Sequence, residues 1–287
     1  DAPDQEPTAT DVPISHAAQP AAAAAAAAAA PTSSRISFAG YQLIEEIQGG
    51  GMAQAFRAHD ASGQVVFLKR VRLNTPDEAA LQRENDVYGR LQYQQCNHVL
   101  SVLDFQRDGE FAALITEYAD GGDLKHFVEA AEPSGPAKGL PPHKALVIAL
   151  EIARGLAELH ESNIVHRDLK PDNVLRVGAV WKLADFGIAK NRAREGGGVT
   201  FQQAGTYGYA APEQFDGSTA DPSADIYSFG KILSYLLTGN TDPDRIRVEL
   251  PDLRRLVQRC SQYAPESRPT IADVLAGLEP MLGVPAT

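Results

Sequence analysis

Apolar and polar positions alternate along three stretches that follow Phe38: Tyr41–Ile47 (YQLIEEI), Ala53–Asp60 (AQAFRAHD) and Gln64–Leu73 (QVVFLKRVRL). A period of two sends successive side chains to opposite faces, so each stretch predicts a strand, with the second turn at Ser62-Gly63. In Thr75–Gln92 the pattern changes. Thr75 offers a capping hydroxyl, Pro76 suits a first helical position and acids fill the first turn, which predicts a helix. Val99–Ala119 holds two apolar runs around Asp108-Gly109, which reads as a hairpin. Beyond Gly121-Gly122 the period lengthens, and Leu146, Ala149, Leu150, Ala153, Leu156 and Leu159 recur at the spacing of one helix face. The expectation is a five-stranded sheet with one helix, followed by a helical lobe. The seam falls near Glu117–Gly122, and a cleft belongs there.

Before Phe38 the pattern vanishes. Pro, Thr and Asp dominate the first twenty residues, and ten alanines follow, Ala21–Ala30, closed by Pro20 and Pro31. Such a run is marginal as a helix without packing and too short to span a bilayer. No basic flank precedes it, which argues against a secretory signal. Residues 1–37 therefore read as a disordered leader or linker, and 38–283 as the folded part. The hydrophobic content of the whole chain, 44%, is ample for a core.

Charge and cysteine count narrow the classes. The net charge is −11, of which the first 35 residues carry −3 (four acids, one arginine), leaving an acidic body at −8. That speaks against nucleic acid as a partner. Cys96 and Cys260 stand far apart, which gives neither a disulfide framework nor a thiolate zinc site, and seven scattered histidines show no ligand spacing. A reducing, cytoplasmic compartment is the default.

Glu45–Asp60 (EEIQGGGMAQAFRAHD) has the rhythm of strand, glycine turn and strand. Such a hairpin can lay backbone N–H groups over phosphates. A G-x-G-x-x-G pattern nevertheless fails, because Gln48 and Ala53 hold the outer positions when Gly50 is the middle glycine. Alone, three adjacent glycines are more often a plain flexible loop than a nucleotide site.

Three blocks downstream decide the matter: IVHRDLKPDNVL at 164–175, LADFGIAK at 183–190 and AGTYGYAAPEQF at 204–215. In this order they resemble the protein kinase family, specifically its serine/threonine branch, and the resemblance runs from about Tyr41 to Leu282. The glycine-glycine-methionine loop, the VFLKR strand, the small C-terminal lobe and the alanine-rich leader look like the bacterial type. The resemblance implies an α+β, bilobal kinase-like fold. It has a five-stranded antiparallel N-lobe with one main helix (about 38–118) and a mainly helical C-lobe (about 119–283). It implies transfer of the ATP γ-phosphate to protein Ser/Thr hydroxyls, with Mg²⁺ (or Mn²⁺ in its place), autophosphorylation through a transient dimer, and no membrane span.

Phosphoryl transfer leaves a protein mainly positioning and charge neutralisation to do. Asp168 would accept or orient the proton of the attacking hydroxyl, and Lys170 would reach the γ-phosphate. Asn173 and Asp185 supply oxygen ligands of the kind Mg²⁺ prefers. Taken singly, Asp168 could be a turn aspartate and Asn173 a loop cap. His166 reads as a packing residue. Lys69 ends a strand where the family places its phosphate-binding lysine, and alternation sends it to the side of Phe67 and Val71. Glu84, fifteen residues on, would be its ion-pair partner and keep it charged despite burial. Glu117, Tyr118 and Ala119 would form the connector whose backbone meets adenine, with Thr116 at the pocket's rear. Ile47, Ala55, Phe67 and Leu175 complete the ATP pocket, and Gly49, Gly50 and Gly51 its phosphate loop. Asp123 would hold the ribose hydroxyls or cap the helix that follows.

Residues between Asp185 and Glu213 would form the activation loop. Arg167 would clamp a phosphate on Thr200, which as an alternative is an ordinary exposed threonine, and Thr206 would support Asp168 and Lys170. Asp225 looks like the buried aspartate opening the central C-lobe helix, and Arg268 like the late partner of Glu213. Helices at Ser223–Leu237 and Leu253–Ser261 leave TGNTDPDRIRVELP room for one short turn at most, so a docking surface is reduced. Phe67, where the family has alanine, and the irregular glycine loop keep an alternative open: a pseudokinase acting as a nucleotide-sensing or protein-binding module.

Overall fold

The computed structural model describes residues 37–49, 53–91, 94–131, 138–186, 208–215, 221–246 and 250–283. Chain order begins with strands β1 (Ser37–Phe38), β2 (Tyr41–Gly49), β3 (Ala53–His59) and β4 (Val65–Arg72), then helix α1 (Pro76–Leu91). Strands β5 (Val102–Asp108) and β6 (Phe111–Glu117) complete one sheet of order β1-β2-β3-β4-β6-β5, antiparallel throughout. The five expected strands are all present. The sheet has a sixth, β1, which two residues are too few to announce by alternation.

Local chemistry explains the boundaries. Thr75 Oγ1 accepts the Glu78 amide at 3.3 Å and Glu78 accepts the Asn74 amide at 2.7 Å, a reciprocal cap on α1. Asp60 Oδ1 accepts the amides of Ser62 and Gln64, both at 2.8 Å, so Gly63 can turn at φ +87°. Two register shifts interrupt the pairing of β2 with β3, between Leu43 and Glu45 and between Glu46 and Gln48, irregularities of the kind that bend a strand. On the outer face of the sheet Phe38, 2% exposed, packs with Phe56, Val66, Leu68 and Ile115. The Ala39 amide donates to Asp108 at 2.9 Å and pins β1 there.

The second lobe is built on α3 (Pro142–Glu161), preceded by the short α2 (Leu124–Glu129). Ten of the twenty α3 residues are buried, so this helix forms the lobe's axis. A two-stranded ribbon, β7 (Val174–Val177) and β8 (Val180–Leu183), packs on it through β8, as do α4 (Pro222–Thr238) and α6 (Ile271–Leu278), while α5 (Pro251–Cys260) packs on α4. Gly239 ends α4 at φ +70°, the left-handed stop that glycine permits. Between α4 and α5 the described residues hold a single 3-10 turn, Pro243–Arg245, and 247–249 lie outside them. No helix among the described residues is long and apolar enough to cross a membrane.

The lobes are tied at the back. Leu183 accepts the Leu100 amide at 2.9 Å and donates to the His98 carbonyl at 2.8 Å, so β8 extends into the segment before β5. Gly155 of α3 makes room for this: a Cβ there would sit 2.6 Å from the His98 carbonyl oxygen.

Candidate active site

The loop after α3 is shaped from below by one carboxylate. Asp225, 1% exposed near the start of α4, accepts the amides of His166 (2.8 Å) and Arg167 (2.9 Å) and faces His160 Nε2 at 2.9 Å. Arg167 takes φ +66°, a conformation side chains disfavour, and Asp225 holds it there. This turn presents Asp168 upward. Lys170 Nζ stands 3.4 Å from Asp168 Oδ2, and Asn173 Nδ2 donates to the Asp168 carbonyl at 2.8 Å. Asn173 opens no distance for itself to wander, being 2% exposed in a 3-10 turn that Pro171 starts. Buried His166 lies edge-on to the Phe186 ring at 5.5 Å, and burial pulls its pKa down, so the ring is neutral packing material.

A second group forms under the sheet. Lys69 on β4 meets Glu84 of α1 at 3.2 Å and Asp185 at 3.6 Å. Burial alone would discharge the lysine, but Glu84 and then Asp185 outweigh it and hold Lys69 above its usual range. Burial pushes Glu84 up, and Lys69 opposes that. The group as a whole reads as a cation set between two carboxyls. Asp185 sits at φ +53°, and its neighbour Phe186 is anchored in the core against Tyr88 of α1, ring centres 4.7 Å apart. The aromatic contact thus fixes α1, and with it Glu84, relative to Asp185.

A cleft opens beside the second group, and through Ala184, whose amide donates to the Asn173 carbonyl at 2.9 Å, it adjoins the first. Phe67, Leu100, Leu114, Leu175 and Ala184 form its apolar walls, Thr116 a further side, and Lys69, Glu84 and Asp185 its charged end. Concave, largely apolar and charged at one end, it has the form of a site for a flat base with an anionic tail. Ile47 and Ala55 pack on Phe67 along with Tyr118. Ala119 is buried against Leu100, Leu175 and Ala184, and Gly49 pairs with Gln54 across the hairpin. Asp123 caps α2 by accepting the His126 amide at 2.9 Å, and its carboxylate also meets His126 Nδ1 at 2.7 Å. The capping alternative is therefore the one whose contacts are visible. Gly50, Gly51, Thr200 and Thr206 lie outside the described residues, as does most of the activation segment (187–207).

Several lining residues were not foreseen. Leu114 could have been, since alternation puts it on the face of Thr116 and opposite Lys69. Tyr88 follows Glu84 by one helical turn on α1 and Ala184 directly precedes Asp185, so local spacing could have found both, whereas Leu100 arrives through contacts far apart in sequence, for which no spacing rule exists. Below the cleft Arg268, its side chain wholly buried, grips Glu213 at both oxygens (2.6 and 2.8 Å). Gln214 Nε2 donates to the Arg167 carbonyl at 2.8 Å, which joins this latch to the loop carrying Asp168.

For a divalent cation the donor set is sparse but suitable. No group of three or more His, Cys, Asp or Glu able to hold a metal occurs among the described residues. Asp185 and Asn173 offer two oxygen ligands, with Asn173 using its nitrogen, not its oxygen, toward Asp168. That suits Mg²⁺, which takes few protein ligands and fills its shell with phosphate and water oxygens.

Comparison with known proteins agrees with this geometry. The protein kinase domain family matches residues 41–277. The chain is 30% identical over 260 residues to the probable serine/threonine-protein kinase PkwA of Thermomonospora curvata, covering 83% of this chain and 34% of that one. It is 34% identical over 209 residues to the serine/threonine-protein kinase PknD of Mycobacterium tuberculosis (70% and 30%). It is 29% identical over 245 residues to the serine/threonine-protein kinase PrkC of Bacillus subtilis (82% and 36%). The matched part thus spans about a third of these relatives.

Proposed function

Since this chain belongs to the protein kinase family, we propose that it transfers the γ-phosphate of ATP to serine and threonine hydroxyls of proteins. One observation carries the reading. A cleft walled by apolar side chains ends on Lys69, Glu84 and Asp185, and its wall residue Ala184 donates its amide to the carbonyl of Asn173 at 2.9 Å, in the loop that carries Asp168 and Lys170.

Each residue then has a task. The apolar walls and the backbone of Glu117 to Ala119 take the adenine, and the glycine turn after Gly49 covers the phosphates. Lys69 neutralises phosphate oxygens, and Glu84 keeps its ammonium aimed inward. Asn173 and Asp185 would hold Mg²⁺, which would supply neutralisation of phosphate charge. Asp168 accepts the proton of the incoming hydroxyl, while Lys170, 3.4 Å from it, stabilises charge on the group in transit. The free cysteines Cys96 and Cys260 support a reducing, cytoplasmic setting.

The test is incubation of the protein with γ-labelled ATP and Mg²⁺, followed by phosphoamino-acid analysis of added proteins and of the chain itself. Label on serine or threonine supports the reading. Self-labelling whose specific rate rises with protein concentration would indicate transfer between two copies. No label in any protein, from a chain that binds Mg-ATP, would favour a binding module.

Phe67 is the residue on which that alternative turns, because its ring fills space on the cleft wall. On the adjacent strand it packs against the small side chain of Ala55, and an aromatic face beside a purine is favourable. Phe67→Ala is expected to change Mg-ATP affinity by no more than about tenfold, or about 1.4 kcal/mol. Wild-type protein that binds nothing, beside a variant that binds well, would mean a pocket plugged by its own side chain.

A further inference from the structure

The base end and the phosphate end of the cleft belong to different parts of the chain, and one pair of side chains joins them. Glu117 closes β6 and starts the connector between lobes; Lys182 lies on β8, three residues before Asp185. Lys182 Nζ reaches Glu117 Oε1 at 2.7 Å, and the same oxygen accepts the Ser101 amide at 2.7 Å. Both side chains are mostly shielded, 14% and 17% exposed, which distinguishes the pair from surface ion pairs of little value. Strand alternation explains the direction. Trp181 and Leu183 are buried in the lobe core, so Lys182 must leave the other face of β8, toward the connector. Opposite it in the ribbon is Leu175, which lines the cleft. Neither Glu117 nor Lys182 lines the cleft itself.

A shielded ion pair is an inefficient source of stability, since desolvation offsets most of its attraction. What it supplies here is a fixed separation. We infer that Glu117 and Lys182 are positioning residues for nucleotide binding, setting the adenine-bearing connector in register with the strand that leads to Asp185. This rests on the kinase reading above.

The experiment compares wild type, Lys182→Met, Lys182→Arg and Glu117→Gln in the full chain. It measures Mg-ATP and Mg-ITP binding, then KM and kcat. ITP keeps the triphosphate and alters the base. Lys182→Met is expected to weaken Mg-ATP by about tenfold and Mg-ITP far less, with KM rising and kcat nearly unchanged. Lys182→Arg should restore most of the affinity. Glu117→Gln, which keeps an acceptor for Ser101, should show the same split in milder form, and it serves if Lys182→Met does not fold. Equal weakening of both nucleotides, or a lower melting temperature with unchanged binding, overturns the inference. Wild-type protein that binds no Mg-ATP overturns the kinase reading and this inference together; normal wild-type binding beside unaltered variants overturns this inference alone.

Discussion

Asp168→Asn is expected to lower kcat by about 10²- to 10⁴-fold, the usual worth of a positioned proton acceptor, while Mg-ATP affinity and melting temperature hold. The substitution is nearly isosteric, and the amide oxygen of the variant can keep the contacts of Asp168 with Lys170 and Asn173. The backbone is held from elsewhere, by Asp225 below and by Asn173 on the Asp168 carbonyl. Only the basic oxygen is lost. Steady-state kinetics beside nucleotide titration separate the two effects. A variant within a few-fold of wild-type turnover would remove Asp168 from the proton's path, whatever else the chain does.

Arg268→Ala should have the largest effect on stability. Its guanidinium is wholly buried, binds both oxygens of Glu213 and also donates to the carbonyls of Gln262, Tyr263 and Ser223. Truncation leaves a carboxylate and three carbonyls without these donors. Breaking a buried pair in this way costs about 3–5 kcal/mol, against a total stability of about 5–15 kcal/mol for a typical domain. Lysine should rescue little, since it cannot reproduce the planar fork. Urea unfolding of the wild type, Arg268→Ala and Arg268→Lys measures this. A loss under about 1 kcal/mol would mean the latch is dispensable.

What the sequence disclosed, and what it hid, follows from the range of each interaction. Lys69 and Glu84 stand on a strand and a helix whose patterns are local, and fifteen residues of known geometry bring them within 3.2 Å. The loop around Asp168 is a short block, legible as a unit. Leu100 reaches the cleft through packing between distant segments, and nothing in its neighbourhood marks it. The Glu117–Lys182 pair, 65 residues apart, is of the same kind. Asp123 was ambiguous because one carboxylate can both cap a helix and face a ligand, and the two uses share one local pattern. The sixth strand escaped for a different reason: its worth lies in one side chain, Phe38, and not in any repeat.

That small strand also sets where the protein can be trimmed. The span that matches the kinase family starts at Tyr41, whereas Phe38 already covers Phe56, Leu68 and Ile115 on the outer sheet. A protein cut to the matched span would bare that greasy plate and forgo about 1.5–3 kcal/mol from the phenylalanine alone. The unit that relatives identify and the smallest unit that keeps itself dry are therefore different lengths of chain. The second begins earlier, at the strand that holds Phe38.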